Sequence, residues 1–427
     1  MEMAAFLGTL FGFMTFGIPI AIVLVLCAIV LMLVMGQFDP LAIAQAMVTG
    51  TNSFPLMAIP FFMLAGEIMS QGGLSARIVE FANLSVGKVR GGLGYAAIIA
   101  SIIFAGLSGS AVADAAALGA ILIPIMKSKG YKLGRSAGFI CAGAVIAPII
   151  PPSIPMIVLG TSVNLSITRL FMAGIIPGLI LGIALLIAWF FVVRIDGYTD
   201  TITYTKEERR KIFKESLPAL MMPVLIVGGI RLGIFTPTEA GAFAVVYALI
   251  VCRFVYKELD IDQIGDIFSA AAKSTATVMF IVAAATAVGF YITTAQVPAQ
   301  VAGALGGLID KPMLLLLTIN AFLFAIGMVM DLTPNILIFA PVLFPVIQQA
   351  GIDPYFFAVI MTLNLCIGLI SPPVGTVLYV GCGVAKIDFG RLVKGILPFL
   401  LVEISILLLC ILFPSLIMGP LKLIMGT

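Results

Sequence analysis

Histidine is absent from the sequence, tryptophan occurs once, and Asp, Glu, Lys and Arg together make up only 10% of it. The missing imidazole excludes His-ligated metals, haem, and imidazole-based triads or proton relays. The scarcity of charge, set against 62% hydrophobic residues, excludes water as the solvent on most faces of the chain. Cysteine is sparse as well. Cys27, Cys141, Cys252, Cys366, Cys382 and Cys410 lie singly in apolar stretches, without the paired spacing of metal or redox sites, and read as small core residues. A net charge of +3 is spread in short clusters between apolar runs, which excludes a nucleic-acid surface and reports topology instead.

What fills the sequence is apolar runs, for example 18–35, 171–193, 276–294 and 396–418, each suited to a hydrocarbon layer of roughly 30 Å. The expected fold class is an all-α polytopic membrane protein with about ten transmembrane helices, and no soluble domain is left over. The first run has neither a basic start nor a small-residue cleavage site leading into a polar chain, so it reads as a retained span and not a signal peptide.

Displacing the sequence against itself by 221 positions aligns helix breakers with helix breakers. Gly106, Pro124, Gly130, Pro151, Pro152, Gly160, Gly174 and Pro177 fall on Gly327, Pro345, Gly351, Pro372, Pro373, Gly381, Gly395 and Pro398, and farther upstream Asp39 falls on Asp260. A chance match of apolar sequence would align Leu, Ile and Val but scatter Gly and Pro. The basic residues then set orientation, because short cytoplasmic loops carry the excess of Lys and Arg. Arg77, Lys88, Arg90, Lys127, Lys129, Lys132 and Arg135 flank the segment around Gly106, whereas Lys311 alone flanks its counterpart around Gly327. At the far ends the bias reverses, Arg169 standing against Lys386, Arg391 and Lys394. The expectation is two inverted-topology repeats, 1–193 and 216–427, joined by a cytoplasmic connector helix at 194–215 whose charges form a solvated face.

Within each repeat two elements cannot be plain spans. In 92–128 a polar tip, Gly106-Leu-Ser-Gly-Ser-Ala-Val-Ala-Asp114, divides two apolar arms with basic residues at both ends, which predicts a re-entrant hairpin. Its mate, 313–349, carries Gly327-Met-Val-Met-Asp331-Leu-Thr333-Pro334-Asn335, with Ser110 aligned to Asp331 and Asp114 to Asn335. Capping explains Ser110 and Thr333. It does not explain an Asp and an Asn in equivalent loops between apolar arms, where ionisable groups are costly and usually functional. Oxygen-rich loops suit a hard cation such as sodium, and helix N-termini suit an anion. By contrast, Thr236-Pro237-Thr238-Glu239 reads as a capping box, and Glu67 and Glu403 are lone carboxylates left outside the site. The second paired feature is Pro151-Pro152-Ser153 in 136–164 and Ser371-Pro372-Pro373-Val374-Gly375-Thr376 in 355–385, where paired prolines forbid a continuous helix and predict mid-membrane unwinding.

At these residues the sequence resembles the large membrane subunit of the tripartite ATP-independent periplasmic (TRAP) transporters, over its whole length. The most specific parts are Gly17-Ile18-Pro19, 106–114, 150–155 and 370–375. The resemblance implies an elevator-type sodium symporter of the ion-transporter superfamily in a bacterial inner membrane, without a cofactor other than Na+ as coupling ion. It implies two partners, a small four-helix membrane subunit, expected as a separate chain, and a periplasmic substrate-binding protein that delivers an organic acid. It places sodium where each tip meets the unwound helix of its own repeat: Ser108, Ser110 and Asp114 with Pro151, Pro152 and Ser153, and Asp331, Thr333 and Asn335 with Ser371, Pro372, Pro373, Gly375 and Thr376. Sialic acid is favoured over C4-dicarboxylates as cargo. The moving block is expected to ride on a scaffold of spans 18–35, 171–193, 236–255 and 396–418, linked to it by interfacial arms at 39–52, 194–214 and 257–273. Competing readings are a stand-alone dicarboxylate or anion carrier of related fold, a passive channel, and an intramembrane hydrolase using Asp114 and Asp331 as a carboxylate pair. The hydrolase leaves the aligned motifs outside the two aspartates without a purpose, so no enzyme activity is expected.

Overall fold

Local chemistry sets the helix starts. Asp39 accepts hydrogen bonds from the Leu41 and Ala42 amides at 3.0 and 3.1 Å and opens the helix Pro40–Thr51. Its counterpart Asp260 closes a capping box with Gln263 at the head of Ile261–Thr294. Thr205 with Glu208, and Thr236 with Glu239, form two more capping boxes, each satisfying two otherwise free amides. The computed structural model describes residues 2–36 and 38–426, and among these no strand occurs. Among the described residues eight helices are long and apolar enough to cross a membrane, and several shorter apolar helices accompany them. The chain is therefore an all-helical membrane protein. Two of the eight, Ala111–Ser128 and Leu332–Gln349, are the second arms of the expected hairpins.

The elements repeat at the spacing read from the sequence. Gly92–Ser108, Ala111–Ser128, Leu133–Ala144, Ile154–Ser162 and Ile167–Asp196 correspond in order to Pro312–Gly327, Leu332–Gln349, Pro354–Gly368, Thr376–Ala385 and Phe389–Leu412. Their packing is reciprocal: Ala111–Ser128 lies on Thr376–Ala385, and Leu332–Gln349 lies on Ile154–Ser162. The arms of the first pair pack on each other. Those of the second splay, Pro312–Gly327 packing chiefly on Pro354–Gly368.

Two expectations about connections change. The stretch 194–215 is not a helix of its own. Ile167–Asp196 ends before Gly197, which has a φ of +72°, and a new helix, Lys206–Arg231, runs from the charged cluster straight into an apolar stretch. Likewise 257–273 is not an arm separate from the span that follows. Ile261–Thr294 is one rod of 34 residues, about 51 Å at 1.5 Å per residue and longer than a hydrocarbon layer.

The helices sort into two packed sets. Ile20–Val34 and Pro40–Thr51 lie on Ile261–Thr294, Ala58–Gln71 lies on Pro237–Ile250, and Leu74–Val86 lies on Lys206–Arg231. The hairpin arms and broken helices form the second set, and Ile167–Asp196 and Phe389–Leu412 belong to it. This corrects the expectation that 171–193 and 396–418 are scaffold. The cause is glycine: a Cβ on Gly395 would stand 2.0 Å from the Gly134 carbonyl oxygen, and one on Gly138 would stand 2.7 Å from the Ile396 nitrogen. Small residues there let Leu133–Ala144 and Phe389–Leu412 touch backbone to backbone.

The single tryptophan completes that set. Trp189 is fully buried, donates to the Gly91 carbonyl at 2.9 Å, and stacks on Phe139, Tyr131 and Tyr198. Asp196 beside it pairs with Lys132 at 2.6 Å and Arg135 at 3.3 Å, and Arg135 also donates to the Gly395 carbonyl. The helix end at 194–200 is thus tied to the exit of the first hairpin.

Candidate functional site

The first tip is short because Gly109, at φ +62°, turns the chain between Gly92–Ser108 and Ala111–Ser128. Ser110 caps the second arm, its hydroxyl accepting from the Ala113 amide at 3.4 Å. One turn on, Asp114 is completely buried, and Ser108 donates a short hydrogen bond to its Oδ1. The Ser108 hydroxyl oxygen also accepts from the Ser110 amide at 3.2 Å. Asp114 Oδ2 has no partner. Facing the tip is the unwound stretch between Leu133–Ala144 and Ile154–Ser162, with a cis Pro151–Pro152 peptide. The two meet at Gly109, where a Cβ would stand 2.4 Å from the Pro152 carbonyl oxygen. Ser153 is buried but occupied: it donates to the Pro148 carbonyl and accepts from the Met156 amide at 3.2 Å.

The second junction repeats this plan with different side chains. Asp331 stands at the head of Leu332–Gln349, where Ser110 stands in the first, and accepts from the Thr376 hydroxyl at 3.2 Å. Thr333 and Asn335 are buried behind it. The Asn335 amide nitrogen donates to the Met330 carbonyl at 3.1 Å, an assignment that leaves Oδ1 as the free atom, buried without a partner. Val374 and Gly375 both point their amides at the Met328 carbonyl, at 3.3 Å, so the tip is bonded to the break. Gly375, at φ +56°, turns the chain into Thr376–Ala385, and Pro372–Pro373 is cis. Ser371 donates to the Ile367 carbonyl at 2.8 Å.

Each predicted tip therefore touches the break of its own half. Asp114 and Asn335, which the sequence alignment superimposes, share one property: each leaves a single buried oxygen with no hydrogen-bond donor. A buried acceptor left unpaired costs about 1–3 kcal/mol, and more where it is charged, a cost that a ligand donating positive charge would remove at both positions. Helix breaks alongside supply peptide carbonyls, the ligand type that hard cations take. Ser153 and Ser371 hydroxyls have their protons committed to backbone carbonyls, so only their lone pairs face such a ligand.

Several features lay outside the sequence-derived site. Asn364 donates to both the carbonyl and the side-chain oxygen of Asn320, at 2.9 and 2.8 Å, bridging Pro354–Gly368 to Pro312–Gly327. Lone amides in apolar runs were the available signal. A cavity of ≈ 790 Å³ opens between the two helix sets, lined by Gln45, Thr49 and Thr286 on one side and Thr161, Ser162 and Leu337 on the other. It contains none of the predicted site residues and follows from tertiary packing, which the sequence does not display. Glu403 is fully buried with both carboxyl oxygens unpartnered.

Comparison with known proteins gives the family. The family model described as "Tripartite ATP-independent periplasmic transporter, DctM component" matches residues 7–416. A putative TRAP transporter large permease protein of Haemophilus influenzae is 50% identical over 99% of both chains. The 2,3-diketo-L-gulonate TRAP transporter large permease protein YiaN of Escherichia coli is 47% identical, again over 99% of both. The sialic acid TRAP transporter large permease protein SiaM of Vibrio cholerae is 37% identical over 96% of each. Among solved structures, the YdaH transporter of Alcanivorax borkumensis shares the fold, with a TM-score of 0.63 over 88% of each chain at 16% identity. The chain belongs to the DctM family, the large permease component of the tripartite ATP-independent periplasmic transporters.

Proposed function

We propose that this protein imports an organic acid anion across the bacterial inner membrane by sodium symport, with the hairpin-bearing helix set carrying the substrate past the other as an elevator. The observation that carries the reading is the pair of equivalent orphan oxygens, Asp114 Oδ2 and Asn335 Oδ1, each behind a tip joined to an unwound helix. Sodium, as coupling ion, would take these oxygens together with Ser108, Ser110, Asp331, Thr333 and Thr376 and carbonyls of 151–153 and 371–376. Filling both sites joins tip to break in each half and removes two unpaired acceptors, which favours closure over the substrate. The reciprocal packing of the two halves is compatible with inverted repeats, an orientation supported by the reversal of the basic residues between them.

The tripartite family supplies the rest of the assembly. A periplasmic binding protein delivers the acid and a small membrane subunit packs on the set that stays fixed. A relative named as the isethionate permease DctMQ of Oleidesulfovibrio alaskensis, of which this chain covers 65%, supports a neighbouring Q-type component. Relatives name 2,3-diketo-L-gulonate, sialic acid, isethionate and C4-dicarboxylates, so the cargo is a small organic acid anion, with sialic acid preferred to dicarboxylates. The test is uptake in proteoliposomes holding both membrane subunits, with the binding protein outside, using radiolabelled sialic acid, 2,3-diketo-L-gulonate and succinate. Uptake is expected only with an inward sodium gradient and the binding protein present. Equal uptake without the binding protein would favour a stand-alone carrier. Non-saturating, sodium-independent flux would favour a channel.

A further inference from the structure

Among the described residues, the transport reading leaves unused one fully buried carboxylate with neither oxygen partnered. Glu403 lies in Phe389–Leu412, is 0% exposed, and has no hydrogen-bond partner at either oxygen. An ionised carboxylate enclosed in this way, with no protein donor at either oxygen, carries a large desolvation cost that protonation removes, so the group holds a proton in this arrangement. Enclosure by this chain's own helices also keeps a basic residue of a neighbouring subunit from reaching it.

The surroundings supply no counter-charge. Phe389–Leu412 packs on Leu133–Ala144, Ile167–Asp196, Pro312–Gly327, Pro354–Gly368 and Thr376–Ala385. The titratable groups on those elements are Arg135 and Cys141; Arg169, Arg194 and Asp196; Tyr355 and Cys366; and Tyr379 and Cys382. The helix itself adds Arg391, Lys394 and Cys410. Arg135 is committed to Asp196 and the Gly395 carbonyl, Arg169 lies over the Tyr355 ring, Arg194 lies over Phe190, and Cys141 reaches the Val377 carbonyl.

Position gives the proton a use. Phe389–Leu412 is wedged against Leu133–Ala144, which leads into the first break, and against Pro354–Gly368, which leads into the second. Rearrangement at either ion junction therefore alters the walls of the Glu403 site. We propose that Glu403 is a proton-binding site that loads and unloads once per cycle, so that transport is coupled to protons as well as to sodium. The step is a plain transfer: the carboxyl takes a proton from water on one side, crosses neutral, and returns it to water on the other.

Two measurements test this, on both membrane subunits in proteoliposomes. In infrared titration, wild type is expected to show a protonated-carboxyl C=O band that titrates and is missing from Glu403→Gln. Absence of such a band, or its survival in Glu403→Gln, overturns the site. The second is the steady-state accumulation of whichever of sialic acid, 2,3-diketo-L-gulonate or succinate is taken up, at a fixed sodium gradient. One coupled proton makes the accumulation ratio change about tenfold per unit of imposed pH gradient. In Glu403→Gln, whatever accumulation sodium sustains is expected to ignore the pH gradient. A wild-type ratio indifferent to pH gradient, or a Glu403→Gln ratio that still follows it, overturns the coupling. Should none of the acids enter under a sodium gradient, the transport reading fails by itself, and the infrared titration decides the proton site separately.

Discussion

In the proposed ion sites Asp114, Asn335 and Asp331 would divide the work in different ways. Asp114 spends one oxygen on Ser108 and keeps the other, Asn335 spends its amide on Met330, and Asp331 binds Thr376 across the junction. The first junction therefore holds its charge one turn inside the arm, and the second holds it at the arm's head. Replacing Asp114 by Asn keeps shape and an acceptor but removes the charge. The half-saturating sodium concentration should rise about tenfold, the equivalent of one charge-assisted contact. A sodium titration of uptake measures it, and an unshifted midpoint would remove Asp114 from the site. Asp331→Ala is expected to raise the sodium requirement more than it lowers thermal stability, because Asp331 is exposed at the head of its helix and not part of the core. Asp331→Asn should retain more function, since a carbonyl ligand remains. Sodium activation of the wild-type kind in Asp331→Ala would contradict this role.

At the scale of elements, the tips and breaks were legible because their signals are local. Gly109 with Ser110, and Pro151 with Pro152, interrupt apolar runs with residues whose backbone demands are fixed whatever surrounds them. The connectors were not legible for the opposite reason. The charged cluster at 206–211 looks like a separate surface helix by hydropathy, yet helix ends are set by caps. After the Thr205 box nothing stops the chain until Gly233, at φ +71°, since Pro218 and Pro223 are accommodated inside the helix. Nor does hydropathy name neighbours, so the membership of 171–193 and 396–418 waited on the glycine contacts at 134 and 395. Gly109 offers a sharp test of the junction. Alanine there combines a left-handed backbone, costing roughly 1–2 kcal/mol for a residue with a Cβ, with a clash against Pro152. Gly109→Ala should abolish uptake and lower the melting temperature in detergent, while Gly130→Ala, whose Cβ meets nothing, pays only the backbone strain and should keep uptake. Full uptake by Gly109→Ala would mean that tip and break need not touch. Topology is testable beside it. Cysteine labels at 90 and 128 are expected on the cytoplasmic side and labels at 313 and 349 on the periplasmic side, and either hairpin found to cross fully would overturn the inverted arrangement.

For the whole molecule, the decisive feature is that each half of the sequence contributes its first part to one helix set and its second part to the other. The boundary between the sets runs through contacts of Ile261–Thr294 with Leu332–Gln349 and of Leu74–Val86 with Gly92–Ser108, and it contains the ≈ 790 Å³ cavity. Within the hairpin set, backbone contacts at Gly134 and Gly395 and the ion pairs of Asp196 join helices far apart in sequence. A set held that way moves as one body or not at all, since packed cores are not continuously deformable. Thr286 and Leu337 face the same cavity from opposite sets, which makes them the natural place to stop relative motion. With the six native cysteines replaced, joining Thr286→Cys to Leu337→Cys by a bifunctional thiol reagent should reduce uptake to the background of empty liposomes. A cleavable linker should restore it on reduction. Joining Tyr379→Cys to Phe389→Cys, whose rings stack 5.2 Å apart within one set, should leave uptake unaffected by the linker. If the 286–337 link forms in most molecules and uptake continues at the unlinked rate, the two sets do not slide past each other, and the anion must cross by local gating at the tips.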